Sequence, residues 1–130
     1  MASNWLNFIM RPVLQQRMRR IHYFSKHPHE VQAGMLSQFI AANHFTVWGK
    51  MHDFAHIRNA ADFARNVPVQ DYETLKPYIQ RMMDGERNVL WHGELRWFSK
   101  SSGTTSDKSK FIPVTVNNLK TCHLKGGWDA

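Results

Sequence analysis

The stretch "WFSKSSGTTSDKSKFIPVT", residues 97–115, places a polar run, Ser101 to Lys110, between two segments rich in apolar residues. Apolar residues alternate along the C-terminal segment, which has the period of a β-strand. They are Ile112, Val114 and Val116. The segment before the run, "NVLWHGELRWF" (88–98), is rich in aromatic and aliphatic residues and favours β structure. The pattern predicts a strand, loop, strand unit within residues 88–130, in which the polar run joins two strands.

The polar run has residue types that bind phosphate. Gly103 lets the backbone approach a ligand closely, Ser and Thr side chains donate hydroxyl groups, and Lys108 and Lys110 add positive charge. The run is not a Walker A loop, because "GTTSDKS" (103–109) has no second Gly before its Lys. Composition by itself favours a flexible hairpin loop. Both interpretations stay open on these residues alone.

Residues 1–87 form a predicted helical part. Pro12 is expected to open a first helix, which ends at His27-Pro28, and Pro28 then opens a second helix that Gly49 stops. Both helices have apolar residues at helical spacing, so they are expected to pack together. The apolar positions are Leu14, Met18 and Ile21 in the first helix and Val31, Met35, Phe39 and Ala42 in the second.

Short helices follow. Asp62 and Asp71 are predicted N-caps, Pro77 is expected to begin a helical turn, and Gly85 is expected to close it. The tail "NNLKTCHLKGGWDA" (117–130) begins like a further helix.

Composition limits the class of protein. The 130 residues suffice for one domain with its own core, and a single cysteine excludes an intramolecular disulfide framework. No apolar run reaches the length of a membrane span, so we expect a soluble, cytoplasmic protein without a transmembrane segment. The net charge of +7 favours anionic partners.

Two other groups of residues have functional alternatives. His52 and His56 are spaced as metal ligands on one helix face, but the residues that would complete such a site are missing, so no metal site is expected. A cluster of basic and aromatic residues resembles a surface that binds nucleic acid or anionic lipid, although a solvated helix face explains it more simply. The cluster comprises Arg17, Arg19, Arg20, Tyr23 and Phe24.

The stretch 97–115 also resembles the first ATP-binding motif of the adenylate-forming superfamily, which includes acyl-CoA synthetases, luciferases and nonribosomal adenylation domains. More closely, it is similar to the acyl acid-amido synthetase family named for auxin-responsive plant proteins, in its bacterial branch. Four other segments carry the same resemblance. They are "HPHEVQ" (27–32), "VWGK" (47–50), "VPVQDYETLKPYIQRMMDGERNVLW" (67–91) and "CHLKGGWD" (122–129).

The resemblance implies an α/β fold and an enzyme that uses ATP and Mg²⁺. Such an enzyme converts a carboxylic acid to an acyl adenylate, which the amine of an amino acid then attacks to give an amide. No nucleic acid partner is implied, and the resemblance assigns no catalytic residue. It gives the polar run the task of holding the ATP phosphates. The implied binding residues are Ser101, Ser102, Gly103, Thr104, Thr105, Ser106, Lys108 and Lys110.

The chain departs from the superfamily pattern in its loop and in its length. Ser106-Asp107 stands where Gly is common and Ser109 where Pro is common, which leaves open whether Lys108 or Lys110 contacts phosphate. Members of the family are several times longer. Residues 1–130 are therefore expected to be an N-terminal fragment that is inactive alone and is able to self-associate. The alternative is a small basic helical module that binds nucleic acid or an anionic membrane surface.

Overall fold

The computed structural model describes residues 3–101 and 109–124 and is mainly helical, with one small antiparallel sheet. The chain divides into two compact units, Met1–Gln38 and Phe39–Ala130. The helices that precede the sheet are α1 (Ser3–Lys26), α2 (Pro28–Asn43), α3 (Val47–Met51), a 3₁₀ turn (Phe54–His56), α4 (Ala60–Asn66) and α5 (Tyr72–Met83). The remaining elements are β1 (Trp97–Ser101), β2 (Lys110–Val114), α6 (Val116–Asn118) and a π-helical stretch (Leu119–Leu124).

The first helix is longer than the sequence predicts. It begins at Ser3, and Pro12 lies inside it, so the expectation that Pro12 opens the helix is wrong. A proline removes one intrahelical hydrogen bond but leaves the turns on both sides able to form. The predicted boundary at His27-Pro28 is confirmed, since α1 ends at Lys26 and α2 begins at Pro28.

The two helices follow one another through the His27 backbone. The His27 N–H donates to the Tyr23 carbonyl over 2.9 Å, and the Val31 N–H donates to the His27 carbonyl over 3.1 Å. The Tyr23 hydroxyl also donates to Glu30 Oε1 over 2.7 Å. These bonds span the boundary, so the second helix continues from the end of the first.

The apolar residues of α1 are not covered as expected. Leu14, Met18 and Ile21 remain 48%, 61% and 46% exposed, and Met35 of α2 is 65% exposed. Within the described residues, the prediction that these two helices bury their apolar stripes against each other is therefore wrong.

The second helix ends before Gly49. It stops at Asn43, and Gly49 is a buried residue inside α3, so the prediction that Gly49 stops the second helix is wrong. Thr46 is the N-cap of α3, and its hydroxyl accepts a hydrogen bond from the Gly49 N–H over 2.9 Å. The Thr46 side chain thus provides an acceptor for one of the first N–H groups of α3, which have no partner within the helix.

Caps define the two helices that follow. Asn59, not Asp62, caps α4, because the Asn59 side chain accepts from the Asp62 N–H over 2.9 Å. Asp62 instead lies in the first turn, where its carboxylate accepts from the Arg58 N–H. The prediction for Asp71 is confirmed, since its side chain accepts from the Thr74 N–H at the start of α5.

Helix α5 contains Pro77 rather than beginning there, which corrects the predicted start. Gly85 closes the helix, as predicted. It has a φ of +90°, its N–H donates to the Met82 carbonyl, and the Glu86 N–H donates to the Arg81 carbonyl. This pair of bonds is a Schellman motif, which favours glycine at the residue of positive φ.

Residues 88–96 do not form the predicted strand. Asn88 and Gly93 have φ values of +58° and +80°, and two hydrogen bonds join them. The Asn88 N–H donates to the Gly93 carbonyl, and the Gly93 N–H donates to Asn88 Oδ1. The extended backbone of a strand cannot include such residues. Aromatic and aliphatic composition here reflects burial, since Val89 and Leu95 lie in the core with Met82.

Candidate phosphate-binding hairpin

Strands β1 and β2 form an antiparallel pair, so the prediction that the polar run joins two strands is confirmed. Their register pairs Phe98 with Pro113, Lys100 with Phe111, and Ser101 with Lys110. Ser101 and Lys110, the first and last residues of the polar run, are thus the pair that closes the loop. The register brings these two predicted binding residues together at the base of the hairpin loop.

The other predicted binding residues lie outside the described part of the chain. They are Ser102, Gly103, Thr104, Thr105, Ser106 and Lys108. The geometry of the candidate site therefore rests on the base of the loop and on the residues that hold the two strands.

The first strand is held by the core. Phe98 is half-buried and packs against the cluster of Met82, Val89 and Leu95. Because Lys100 and Ser101 follow within the same strand, burial of Phe98 fixes the end of β1 that enters the loop.

The second strand is held by Tyr72, the first residue of α5. The Tyr72 hydroxyl accepts a hydrogen bond from the Phe111 N–H over 2.9 Å. The Lys110 Nζ lies 5.4 Å from the centroid of the Tyr72 ring, a cation–π distance. Tyr72 therefore contacts two successive residues at the point where the chain leaves the loop.

Tyr72 is itself positioned by the N-cap of α5. Asp71 accepts from the Thr74 N–H over 2.8 Å and from the Thr74 hydroxyl over 2.7 Å. These two hydrogen bonds, with the backbone bond the larger, hold the pKa of Asp71 below its ordinary value. A depressed pKa means that the ionised carboxylate is the form that caps α5 at neutral pH.

A group of buried polar residues supports the segment that leads into β1. We call it the Asn43 junction, and its side chains come from Asn43 and Thr46, which are fully buried. The His92 N–H donates to Asn43 Oδ1 over 3.0 Å, and Asn43 Nδ2 donates to the Phe39 carbonyl over 2.8 Å. The Thr46 hydroxyl donates to the Asn43 carbonyl over 2.7 Å. Asn43, at the end of α2, is thereby hydrogen-bonded to His92, which lies 49 positions later in the chain.

Backbone bonds complete this support. The Val47 N–H donates to the Asn88 carbonyl over 2.8 Å, and the Trp48 N–H donates to the Val89 carbonyl over 3.0 Å. The first two N–H groups of α3 are therefore hydrogen-bonded to carbonyl groups of the loop before β1. Buried N–H groups require such partners.

Sequence reasoning missed both Tyr72 and the Asn43 junction. Tyr72 follows an N-cap and reads as an ordinary first-turn residue, and its partner lies 39 positions later. Asn43 likewise reads as a helix end. The local sequence has no signal for either long-range contact.

The two histidines considered as metal ligands have other partners. His52 Nδ1 is 2.9 Å from the Asn66 carbonyl oxygen, and the His52 ring lies against Trp48. His56 Nδ1 is 2.7 Å from Asp53 Oδ1 in the 3₁₀ turn. Across residues 3–101 and 109–124 no group of three or more His, Cys, Asp or Glu side chains is arranged to hold a metal ion.

Among the described residues, every helix is too short or too polar to cross a bilayer.

The chain is similar in sequence to known proteins over most of its length. The sequence pattern of the GH3 family N-terminal domain matches residues 17–130, which include the whole hairpin. The chain belongs to the GH3 family. This confirms the predicted resemblance to the acyl acid-amido synthetases, on evidence that covers most of the chain.

Individual GH3 relatives are similar over the same region. Indole-3-acetic acid-amido synthetase GH3.2 of Arabidopsis thaliana is 30% identical over 103 residues, which are 78% of this chain and 19% of the relative. The probable indole-3-acetic acid-amido synthetase GH3.7 of Oryza sativa subsp. japonica is 31% identical over 108 residues, 76% of this chain and 17% of the relative. Indole-3-acetic acid-amido synthetase GH3.17 of Arabidopsis thaliana is 32% identical over 92 residues, 69% of this chain and 15% of the relative.

These GH3 relatives are plant proteins, so they leave the predicted bacterial branch untested. The chain spans less than a fifth of the length of each of the three.

Proposed function

We propose that this chain supplies the N-terminal region of an ATP-dependent acyl acid-amido synthetase. Such an enzyme activates a carboxylic acid as an acyl adenylate, releases pyrophosphate, and transfers the acyl group to the amine of an amino acid. In this proposal the polar run of the hairpin binds the ATP phosphates. The match of residues 17–130 to the GH3 N-terminal domain carries the proposal.

The base of the hairpin fits the proposed ligand. The Ser101 hydroxyl is a donor of the kind that phosphate oxygens accept, and the strand register pairs Ser101 with Lys110, which adds positive charge at the base of the loop. Gly103 would allow the loop backbone to approach phosphate closely, and Thr104 and Thr105 would add hydroxyl donors. Such donors would stabilise the negative charge that develops on departing pyrophosphate.

We propose that Mg²⁺ enters the site with ATP. Mg²⁺ in nucleotide sites is held by substrate phosphates and by one or two carboxylates, and it neutralises developing charge on the phosphates. A preformed cluster of three metal-ligating side chains is therefore not required. The part of the chain that the structure describes has none.

Family membership favours this enzyme over a basic module that binds nucleic acid or an anionic membrane. The GH3 match includes both the arginines of α1 from Arg17 onward and the hairpin, so one longer protein accounts for both features.

The proposal is tested by acid-dependent ATP–pyrophosphate exchange in the complete enzyme. Gly103→Val should abolish exchange, because a branched side chain would occupy the space through which phosphate approaches the backbone. Thr104→Val keeps the side-chain shape but removes the hydroxyl, and the loss of one such donor slows chemistry by on the order of a hundredfold. Lys108→Ala should reduce the rate more than Lys110→Ala, since Lys110 already contacts Tyr72.

Folding of each variant is checked by circular dichroism. Near wild-type exchange in folded Gly103→Val and Thr104→Val proteins would show that the loop is only a linker. The 130-residue chain alone should show no exchange, because a phosphate loop positions only one end of the reaction and positioning supplies much of the rate.

A further inference from the structure

Two contacts with different chemistry converge on Tyr72 at the base of the hairpin. We infer that Tyr72 is a positioning residue for ATP binding, which fixes the C-terminal end of the phosphate loop and holds the Lys110 ammonium against α5. This inference rests on the proposed function, because it assigns a task within the same site.

The first contact holds the backbone. Within the described residues, β2 pairs only with β1, and the Phe111 N–H donates to the Tyr72 hydroxyl over 2.9 Å. Strand edges with unpaired N–H groups are free to shift in register or to pair elsewhere. The Tyr72 hydroxyl therefore fixes β2 one residue beyond Lys110, where the loop ends.

The second contact holds a charge. The Lys110 Nζ lies 5.4 Å from the centre of the Tyr72 ring, within the range of a cation–π interaction. A lysine has a flexible stem of four carbons, so an unheld ammonium samples many positions. The Tyr72 ring restricts Lys110 to the side of the hairpin that faces α5. Lys108 is then the lysine that we expect to contact phosphate.

Tyr72 is rigid enough for this task. It is the first residue of α5, directly after the Asp71 cap, and α5 is anchored in the core by Ile79 and Met82, which are 5% and 2% exposed. A hydroxyl attached to such a helix has a fixed position relative to the core. The strand that bonds to it acquires the same fixed position.

Tyr72 and Phe98 hold opposite ends of the phosphate loop. Phe98 fixes the entry of the loop to the core, and Tyr72 fixes its exit to α5. Restriction of both ends of a loop reduces the conformational entropy that ATP binding has to remove. Loss of the exit contact should therefore weaken ATP binding rather than change the chemistry.

The test is ATP–pyrophosphate exchange by the complete enzyme, with KM for ATP and kcat measured separately. Tyr72→Phe keeps the ring beside Lys110 and removes the hydroxyl, and it should raise KM for ATP by about fivefold, the effect of one lost hydrogen bond. Tyr72→Leu removes both contacts and should raise KM by more than about tenfold. KM for the carboxylic acid should stay at the wild-type value in both variants.

Tyr78→Phe is the matched control. Tyr78 lies on the same helix, but its hydroxyl donates to Met51 Sδ at 3.5 Å and not to the hairpin. This variant should keep the wild-type KM for ATP. Hydrogen exchange of the Phe111 amide, measured without ATP, should accelerate in Tyr72→Phe and not in Tyr78→Phe.

Three results would overturn the inference. Wild-type KM for ATP in both Tyr72 variants, with exchange abolished by Gly103→Val, would refute the role of Tyr72 and leave the proposed function intact. A fall in kcat at unchanged KM for ATP would show that Tyr72 does not position the loop for ATP binding, because the loss would then lie in the chemical step or in the fraction of folded enzyme. Wild-type exchange in a folded Gly103→Val enzyme would refute the phosphate loop itself, and the inference with it.

Discussion

Gly49 determines how closely α3 approaches the end of α2. A Cβ atom at this position would lie 2.1 Å from the Asn43 carbonyl oxygen, a distance at which atoms cannot coexist. The same oxygen accepts hydrogen bonds from the Thr46 N–H and hydroxyl, so it has little freedom to move. The absence of a side chain at Gly49 is therefore a condition for the Asn43 junction.

We predict that Gly49→Ala lowers the free energy of unfolding by about 2 to 3 kcal/mol, the cost of overpacking a core. Alanine favours a helix over glycine by about 1 kcal/mol, but the clash with a fixed backbone oxygen outweighs that gain. Urea unfolding of the 130-residue chain measures the difference.

Gly34→Ala is the control for this prediction. Gly34 also lies in a helix, but a Cβ there meets no atom within 4 Å. The variant should gain about 0.5 to 1 kcal/mol from helix propensity. Equal effects of the two substitutions would contradict the steric argument.

Helix α5 depends on pH through its cap. The Thr74 N–H and hydroxyl lower the pKa of Asp71 in the folded state. A carboxylate with a lowered pKa stabilises the folded state above its unfolded pKa of about 3.9, and this contribution disappears as the pH falls through the lower folded pKa.

We predict that Asp71→Asn removes this part of the pH dependence. Asparagine keeps an oxygen that can cap the helix, but it does not titrate. As the pH is lowered from about 5 to about 2, the free energy of unfolding should decline more steeply in the wild type than in Asp71→Asn. Parallel profiles, measured by denaturant titration at each pH, would show that the cap does not depend on the charge of Asp71.

At the scale of the whole molecule, α1 presents apolar side chains that the described residues leave about half exposed. Its exposed residues include Leu14, Met18 and Ile21. Contiguous exposed apolar surface promotes association. We therefore predict that the 130-residue chain self-associates at high concentration, as measured by light scattering.

Substitution of the α1 stripe tests the cause of this association. Leu14→Gln combined with Met18→Gln should lower the apparent molecular mass. Val69→Gln is the control, because Val69 is fully exposed but lies in a link outside the helix, so it should have no effect. A clean monomer of the wild type at high concentration would contradict the prediction.

The sequence by itself determined the features that depend on near neighbours. The boundary at His27-Pro28, the cap at Asp71, the helix end at Gly85 and the hairpin around the polar run follow from local chemistry. A proline, a capping carboxylate, a glycine of positive φ and a polar loop act within a few residues, so one sequence contains their signal. The match to the GH3 family is likewise a property of the linear sequence, over residues 17–130.

Only the tertiary structure decided the features that depend on distant partners. Asn43 meets His92, and Tyr72 meets Phe111 and Lys110, across separations of 38 to 49 positions. The same cause explains the wrong predictions at Gly49 and at residues 88–96, where close packing and paired residues of positive φ override local preference. Local conformational propensity reflects only the structure that a segment prefers in isolation. The position of the loop base depends on which distant groups satisfy its hydrogen bonds, and only the folded chain brings those groups together.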